Sequence, residues 1–379
     1  MKILLVGTGG YASIYVRALL DSTDPDIIWE GAVDPFFSAC KYADEVTARR
    51  IPIYDTMEEF YREHEADLAI ISTPPFLHLE QSLAALSHGS YALSEKPAAP
   101  TVAEVERMIE AQTQYGKFIA IGYQWSFSDA ILALKRDVMN GVLGKPLFLR
   151  TAISWPRDYA YYRRGGGWGG KLFHEGKPLY DSIASNACAH YLHNMLFILG
   201  DTLDRAAIPE RVEADCLRAN DIESFDTCTL RATAKGIPLY FAASHAIRDK
   251  RDPEFVYTFE NAVVHYAQGS DDPVITAIFR DGTKRVYGDP FGRPAAAKMW
   301  DCIRAIRQGT TPVCTAETAL AHTVLIGMLH EKTVIRDFPS ALIRETPEGD
   351  RRFVDGLYDM LYRAYEDAKL FSEMGYPKQ

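Results

Sequence analysis

The sequence predicts an α/β chain in two parts: a doubly wound parallel sheet over residues 1–122, then an α+β domain over residues 123–379 built on a mainly antiparallel sheet. Three observations predict it. Up to Gly122, short runs that are apolar on both faces alternate with helix-spaced segments, as buried parallel strands and their crossover helices do. Between about Val212 and Val286 a series of β-type runs follows with hairpin signals. A chain of 379 residues also has room for two or three domains of ordinary size.

Taken in order, Ile3–Val6, Ile27–Val33, Leu68–Ile71, Tyr91–Leu93 and Phe118–Ile121 are the expected buried strands. Thr101–Tyr115 has helical spacing. Thr101 with Glu104 forms a capping box behind Pro100, and Gly116 follows the last helical residue as a C-cap. Ser126–Asn140 is an expected helix, ended by Gly141 and Gly144-Lys145-Pro146. A glycine-dense loop occupies 165–170, and a strongly apolar helix from about Ser182 to Leu199 stops at Gly200. Val212–Leu217, Thr227–Thr233, Pro238–Ser244, Phe255–Glu260 and Val263–Tyr266 are expected strands, and Asp281-Gly282 is a hairpin turn between two later ones. Residues 295–307, 316–334 and 350–372 have helical spacing, and there is no internal repeat or low-complexity tract.

Lys and Arg total 41 against 51 Asp and Glu, a net charge of −10 with no long basic run. This argues against a general binder of nucleic acid or of an anionic membrane surface, whose affinity comes from neutralising phosphates. The six cysteines, at 40, 188, 216, 228, 302 and 314, make no C-x-x-C pair, and free thiols in a reducing cytoplasm are expected. The first apolar run breaks at Gly7, too short for a signal peptide, and no membrane-length apolar stretch follows. A cytoplasmic chain without a membrane segment is the expectation.

Three motifs carry chemistry. The first is Gly7-Thr8-Gly9-Gly10-Tyr11-Ala12, a G-x-G-x-x-A turn between an expected strand and helix. Glycine permits the tight turn and close approach of a pyrophosphate, and the helix N-terminus offers free N–H groups. Asp34 ends the second strand, where a carboxylate accepts hydrogen bonds from an adenosine ribose and repels a 2′-phosphate, so NAD is expected rather than NADP. The bland alternative is a plain βα turn with a surface aspartate. The second motif, Glu95-Lys96-Pro97, follows the strand Tyr91–Leu93, so Lys96 is aimed at the crevice beyond the sheet, where it can polarise a substrate hydroxyl; a surface lysine before a turn is the alternative.

The third is the helix carrying Asn186, His190, His193 and Asn194. On a continuous helix Asn186, His190 and Asn194 share one polar stripe, and a histidine there acts as acid or base, or else is a satisfied core residue. No metal is expected: His190 and His193 are three apart, but no Asp or Glu lies near them on that helix. Trp155, Arg157, Tyr161, Arg163, Arg164 and Trp168 crowd around the glycine loop, and Tyr123-Gln124-Trp125 lies at the domain junction. Aromatic faces beside hydrogen-bonding groups suit a sugar ring and suit a packed loop equally.

Together these features resemble the Gfo/Idh/MocA oxidoreductases, the glucose–fructose oxidoreductase and inositol dehydrogenase family. The resemblance runs through the glycine turn, Ser72-Thr73-Pro74-Pro75 with His78, Glu95-Lys96-Pro97, Gly122-Tyr123-Gln124-Trp125 and the helix ending at Leu199-Gly200. It implies a Rossmann domain followed by a large open sheet that mediates dimers or tetramers. It assigns cofactor contacts to Gly7, Gly9, Gly10, Tyr11, Ala12, Asp34, Thr73, Pro74, His78, Glu95, Lys96 and Gln124. It assigns substrate contacts to Lys96 and His190, which with Asn186 are the expected catalytic residues; Tyr123, Trp155, Arg163, Trp168 and Asn186 complete the expected substrate contacts from their places along the chain. His190 matches because it lies ten residues before Gly200. Two positions depart from the family pattern. Asn186 stands where the family usually has an aspartate, and Ser126 where it often has an arginine. Asp181 is the nearest carboxylate to His190, and on a continuous helix it faces the other way unless the helix starts after it.

The leading expectation is therefore an NAD-dependent oxidoreductase moving hydride between a secondary hydroxyl of a sugar, sugar derivative or polyol and nicotinamide. The alternatives are a redox-neutral enzyme that keeps NAD bound and oxidises a glycoside transiently before elimination, and a non-enzymatic dinucleotide-binding sensor.

Overall fold

Six strands form the first sheet of the computed structural model, which describes residues 1–376. In chain order they and their helices are β1 (Lys2–Val6), α1 (Ser13–Leu20), β2 (Ile28–Val33), α2 (Ala43–Ala48), β3 (Ile53–Tyr54), α3 (Met57–Glu63), β4 (Leu68–Ile71), α4 (His78–Ser87), β5 (Tyr91–Ser94), α5 (Val102–Tyr115) and β6 (Ile119–Ile121). All pairs are parallel in the order β3-β2-β1-β4-β5-β6. The chain winds outward through β2 and β3 and then returns to β4, so the topological switch point lies between β1 and β4. Leu68, Ala69, Ile70 and Ile71 are all fully buried, the reason β4 is apolar on both faces. The Thr101–Glu104 capping box starts α5, and Gly116 at φ +62° ends it, as the sequence predicts.

The chain forms two compact units: Met1–Phe127 with Arg293–Leu320, and Ser128–Gly292 with Ala321 onward. The return of residues 293–320 to the first unit has a clear cause. Met299, Cys302, Ile303 and Ala305 of the helix Ala297–Gln308 complete the core formed by Ile3, Leu5, Tyr15 and Leu93.

In the second unit the elements are α6 (Asp129–Met139), β7 (Pro146–Ser154), α7 (Tyr159–Gly167), a short hairpin of β8 (Phe173–His174) and β9 (Lys177–Pro178), α8 (Ala189–Ile198), β10 (Pro209–Arg218), β11 (Thr227–Ala234), β12 (Ile237–Ser244), β13 (Arg251–Phe259), β14 (Ala262–Ala267), β15 (Ile275–Phe279) and β16 (Lys284–Gly288). After α9 (the helix Ala297–Gln308) and α10 (Ala316–Lys332) come β17 (Ile335–Asp337), the hairpin β18 (Ile343–Glu345) and β19 (Arg352–Val354), and α11 (Leu357–Asp367). Nine strands pair in the order β16-β15-β14-β13-β7-β12-β11-β10-β17. All neighbours are antiparallel except β7 with β12 and β10 with β17. The sheet is thus mainly antiparallel, as expected. Leu357 and Leu361 of α11 pack on Ala152, Tyr240 and Ala242 of β7 and β12 in one core. Among the described residues no helix is long and apolar enough to cross a membrane.

One expectation is corrected. The helix expected from Ser182 to Leu199 is not continuous. Ser182 caps a wide π-helical turn, Ile183–Ala187, and Cys188 leaves helical geometry at ψ 12° before α8 begins. The regular four-residue spacing that puts Asn186 in line with His190 and Asn194 therefore does not hold across Cys188.

Candidate functional site

The glycine turn lies at the carboxyl end of β1. Gly7 has φ +85°, and a Cβ there would stand 2.6 Å from the Ser72 carbonyl at the end of β4, so only glycine closes the turn. Gly10 is left-handed at φ +54°, and a Cβ on Gly9 or Gly10 would meet nothing within 4 Å. The 3-10 turn Gly10–Ala12 leads from there into α1, with the Ala12 N–H donating to the Gly9 carbonyl at 3.1 Å.

Asp34 stands beside this turn with a structural duty as well. Its Oδ2 accepts the Thr8 N–H at 2.8 Å and the Thr8 hydroxyl at 2.6 Å, and its Oδ1 accepts the Phe36 N–H at 2.9 Å. With two lone pairs per oxygen, Oδ1 keeps one acceptor position for a ribose hydroxyl. The Thr73 hydroxyl donates to Gln81, and Pro74 precedes the 3-10 turn Pro75–Leu77. His78 is fully buried, its ring nitrogens 2.8 Å from the Pro97 carbonyl and 2.9 Å from that of Thr73. It therefore ties the loop after β4 to the peptide following Lys96 and reaches the crevice only through those loops. Burial pushes its pKa down, although both carbonyls favour the protonated ring.

Lys96 is half-buried and joined to Pro97 by a cis peptide bond. The Glu95 carboxylate beneath it is 7% exposed and takes the Tyr15 hydroxyl at 2.5 Å, the Lys298 ammonium at 2.6 Å and the Lys96 N–H at 3.3 Å. Gly122 makes room: a Cβ there would lie 2.8 Å from both Glu95 oxygens. Gln124 is half-buried in the 3-10 turn Gln124–Phe127, whereas Tyr123 is fully buried in the first unit. Lys298 is the residue sequence reasoning missed. A lysine inside an amphipathic helix reads as solvated, and its burial follows only from the fold.

The second unit assembles the other expected residues. Asp181, 3% exposed, precedes the cap at Ser182, so the helix does start after it. It accepts the Asn186 amide at 2.8 Å and the Gly170 N–H at 2.6 Å, with the Arg164 guanidinium at 3.5 Å. A carboxylate only accepts, so the Asn186 Nδ2 faces Asp181 and its Oδ1 faces away. Arg164 also lies 3.8 Å from the Tyr161 ring centroid and 4.1 Å from that of Trp168, which is 8% exposed.

His190 is half-buried in the first turn of α8. The next residue, Tyr191, meets Trp155 edge-on at 5.6 Å, and the Trp155 indole donates to Asp252 at 3.0 Å. Arg163 does not join them: it is exposed, with its guanidinium 5.9 Å from the Tyr159 ring centroid. Asn194 is buried and donates to the Tyr257 hydroxyl at 3.0 Å, and His193 is buried against Phe197 and His322. Both are core residues. Among the described residues no group of three or more His, Cys, Asp or Glu is placed to hold a metal ion.

The chain is similar to known proteins in sequence over part of its length and in fold. Residues 1–123 match the family described as "Oxidoreductase family, NAD-binding Rossmann fold". The chain is 25% identical over 150 residues to an inositol 2-dehydrogenase of Salmonella typhimurium, covering 39% of this chain and 44% of that one. It is 28% identical over 205 residues to a D-glucoside 3-dehydrogenase of Escherichia coli, covering 53% and 54%. The chain thus spans about half, or less, of the length of these curated relatives. The crystal structure of the WlbA dehydrogenase from Bordetella pertussis, in complex with NADH and UDP-GlcNAcA, superposes with a TM-score of 0.71 at 18% identity over 87% of this chain and 95% of that one. At that identity it establishes the shared fold.

Proposed function

Because residues 1–123 belong to the Gfo/Idh/MocA oxidoreductase family, with its NAD-binding Rossmann fold, we propose that the chain is an NAD-dependent dehydrogenase acting on a secondary hydroxyl of a sugar, sugar derivative or polyol. The observation that carries this is what gathers at the carboxyl ends of the first sheet, around its switch point. The open glycine turn, the Asp34 carboxylate and the Glu95-Lys96 segment all stand at the carboxyl ends of β1, β2 and β5 of one parallel sheet.

The turn Gly9–Ala12 holds the pyrophosphate on the backbone N–H groups that remain once Ala12 has donated to the Gly9 carbonyl, and the remaining acceptor position on Asp34 takes a ribose hydroxyl. When bound, NAD supplies the hydride acceptor. The protein's own residues do the rest: Lys96 polarises the reacting hydroxyl, His190 takes its proton, and Asn186 offers Oδ1 as an acceptor that orients the substrate or the imidazole.

The test begins with the purified protein. Denatured without added cofactor, it is assayed for released NAD(H) and NADP(H), and the native protein is then given polyols, aldoses and glycosides with NAD. A rise in NADH absorbance with at least one of them is the expected result. Turnover of a glycoside without added NAD would favour the redox-neutral chemistry instead. No turnover and no binding of either nucleotide would sink both.

Cofactor choice is tested separately. Asp34→Ser removes a charged acceptor and should reduce the preference for NAD over NADP by about tenfold or more in kcat/KM. Thr8→Val breaks the Thr8 side-chain bond to Asp34 but keeps the carboxylate, and should cost about 1 kcal/mol of stability while leaving that preference alone. Equal loss of preference in both variants would mean that Asp34 acts only by holding the turn.

A further inference from the structure

We propose that Lys298 is a positioning residue for cofactor binding: it fixes Tyr11 at the glycine turn so that the phenolic hydrogen donates to the bound dinucleotide. The proposal rests on the NAD-binding reading of the first unit and deepens it.

Donor and acceptor counts fix the geometry around Lys298. A lysine ammonium has three donors and no acceptor. Lys298 is 1% exposed, and its Nζ meets three acceptors: Glu95 Oε1 at 2.6 Å, the Gly122 carbonyl at 3.1 Å and the Tyr11 hydroxyl oxygen at 3.2 Å. Every donor is used, and each direction is fixed. The Tyr11 oxygen therefore accepts, and its hydrogen must point to some other group.

Tyr11 stands inside the turn expected to cradle the pyrophosphate, 43% exposed, with its ring edge-on to the buried Tyr15 at 6.4 Å. The acceptors that a dinucleotide brings to such a turn are phosphate oxygens and ribose hydroxyls. Burial raises the Tyr11 pKa, and Lys298 opposes this only in part, so the phenol keeps its proton at neutral pH.

The same lysine removes a liability. Glu95 without it would be a nearly buried anion next to a site for two phosphates. The Tyr15 hydroxyl donates to Glu95 at 2.5 Å but brings no charge. Lys298 brings a full positive charge to this carboxylate at 2.6 Å. Burial works against the ammonium, yet Glu95 and Tyr11 outweigh it and raise the Lys298 pKa, so the lysine keeps its charge. Lys298 also comes from the returning segment 293–320. The cofactor turn is thus completed by a helix encoded 287 residues beyond Tyr11.

The experiment is a coupling cycle read as the Kd for NADH, by fluorescence titration with thermal midpoints recorded in parallel. Lys298→Met alone leaves Glu95 buried without its cation and is expected to fold poorly, so it is combined with Glu95→Gln. The four proteins are wild type, Tyr11→Phe, Lys298→Met with Glu95→Gln, and the triple variant. Tyr11→Phe should weaken NADH binding about tenfold, the loss of one hydrogen bond to a charged group, with its thermal midpoint retained. The Lys298/Glu95 variant should lose a similar factor, and the triple variant should bind no worse than that double variant. Wild-type affinity in Tyr11→Phe, or losses that multiply in the triple variant, would overturn the proposal while leaving the NAD-binding reading in place. Failure of the wild type to bind NADH or NADPH would overturn that reading and the proposal with it.

Discussion

Between pH 7 and pH 5 His245 and His330 of the second unit, held neutral in the fold, are together expected to withdraw about 4 kcal/mol of stability, with His193 adding a loss in the same direction. Burial drives His193 well below its ordinary value, helped by His322 and Lys135. Burial and Arg157 push His245 down to about 3, against a hydrogen bond to the Trp155 carbonyl that favours the charged ring. Burial alone takes His330 to about 4. A histidine whose folded pKa is depressed contributes stability above its unfolded value, and that stability is lost as pH falls toward the folded value. From pH 6.5 to pH 5 only the unfolded chain takes the protons of His245 and His330, at about 1.4 kcal/mol per pH unit and hence about 2 kcal/mol for each of these two. Asp226 works in the opposite sense: burial raises its pKa, so its contribution is lost as pH rises through the folded value. Denaturant titrations at several pH values measure the slope. His330→Phe is the sharpest check, since its ring stacks on Tyr180 at 4.4 Å and lies 5.9 Å from Phe225, surroundings that a phenyl ring also suits. The variant should lower the proton uptake on unfolding by about one. Stability that stays flat down to pH 5, or an unchanged slope in His330→Phe, would show that these histidines titrate in the folded state.

What the sequence makes legible follows from how local each signal is. β1, β4 and β5 are apolar on both faces because both faces are covered, and that pattern needs no partner to be read. The α5 cap and Gly116 are local in the same way. β3 is two residues long and leaves no pattern, which is why five strands are expected and six are found. β7 is central to the second sheet, yet the sequence analysis does not mark it: it opens at Pro146 and carries Arg150, whose guanidinium binds the Tyr365 and Glu366 carbonyls. The break at Cys188 has no glycine or proline to announce it. It is fixed instead by Ser182, Ser185 and Asp181, which satisfy the wide turn from outside. In the candidate site, residues read from motif spacing occupy the crevice ends of their strands. Lys298, which depends on packing, becomes visible only when distant segments meet, and the Asp181–Asn186 pair, though local, depends on where the helix starts.

Replacing His190 by alanine is expected to lower kcat by about a hundredfold to ten-thousandfold with little change in KM, the range of a positioned general base. The basis is local to the second unit. His190 opens α8 directly after the break at Cys188, and the preceding turn delivers Asn186 with its amide nitrogen held by Asp181 at 2.8 Å. The acceptor end of Asn186 is thus fixed by a buried carboxylate that cannot donate. The readout is kcat against pH: the wild type should fall on the acid side as the base is protonated, and His190→Ala should lose that limb. Activity within tenfold of wild type would remove His190 from the chemistry. Asn186→Asp supplies the companion argument. It restores the side chain usual in the family, yet here it would set two carboxylates where the structure has a 2.8 Å hydrogen bond. Like charges that close cannot both ionise, so one of them keeps a proton and donates to the other. The variant should therefore stay at or below wild-type kcat and gain a new acidic dependence. In this chain the carboxylate stands at Asp181, and an amide at position 186 is the side chain that can donate a hydrogen bond to it while its own oxygen faces the other way.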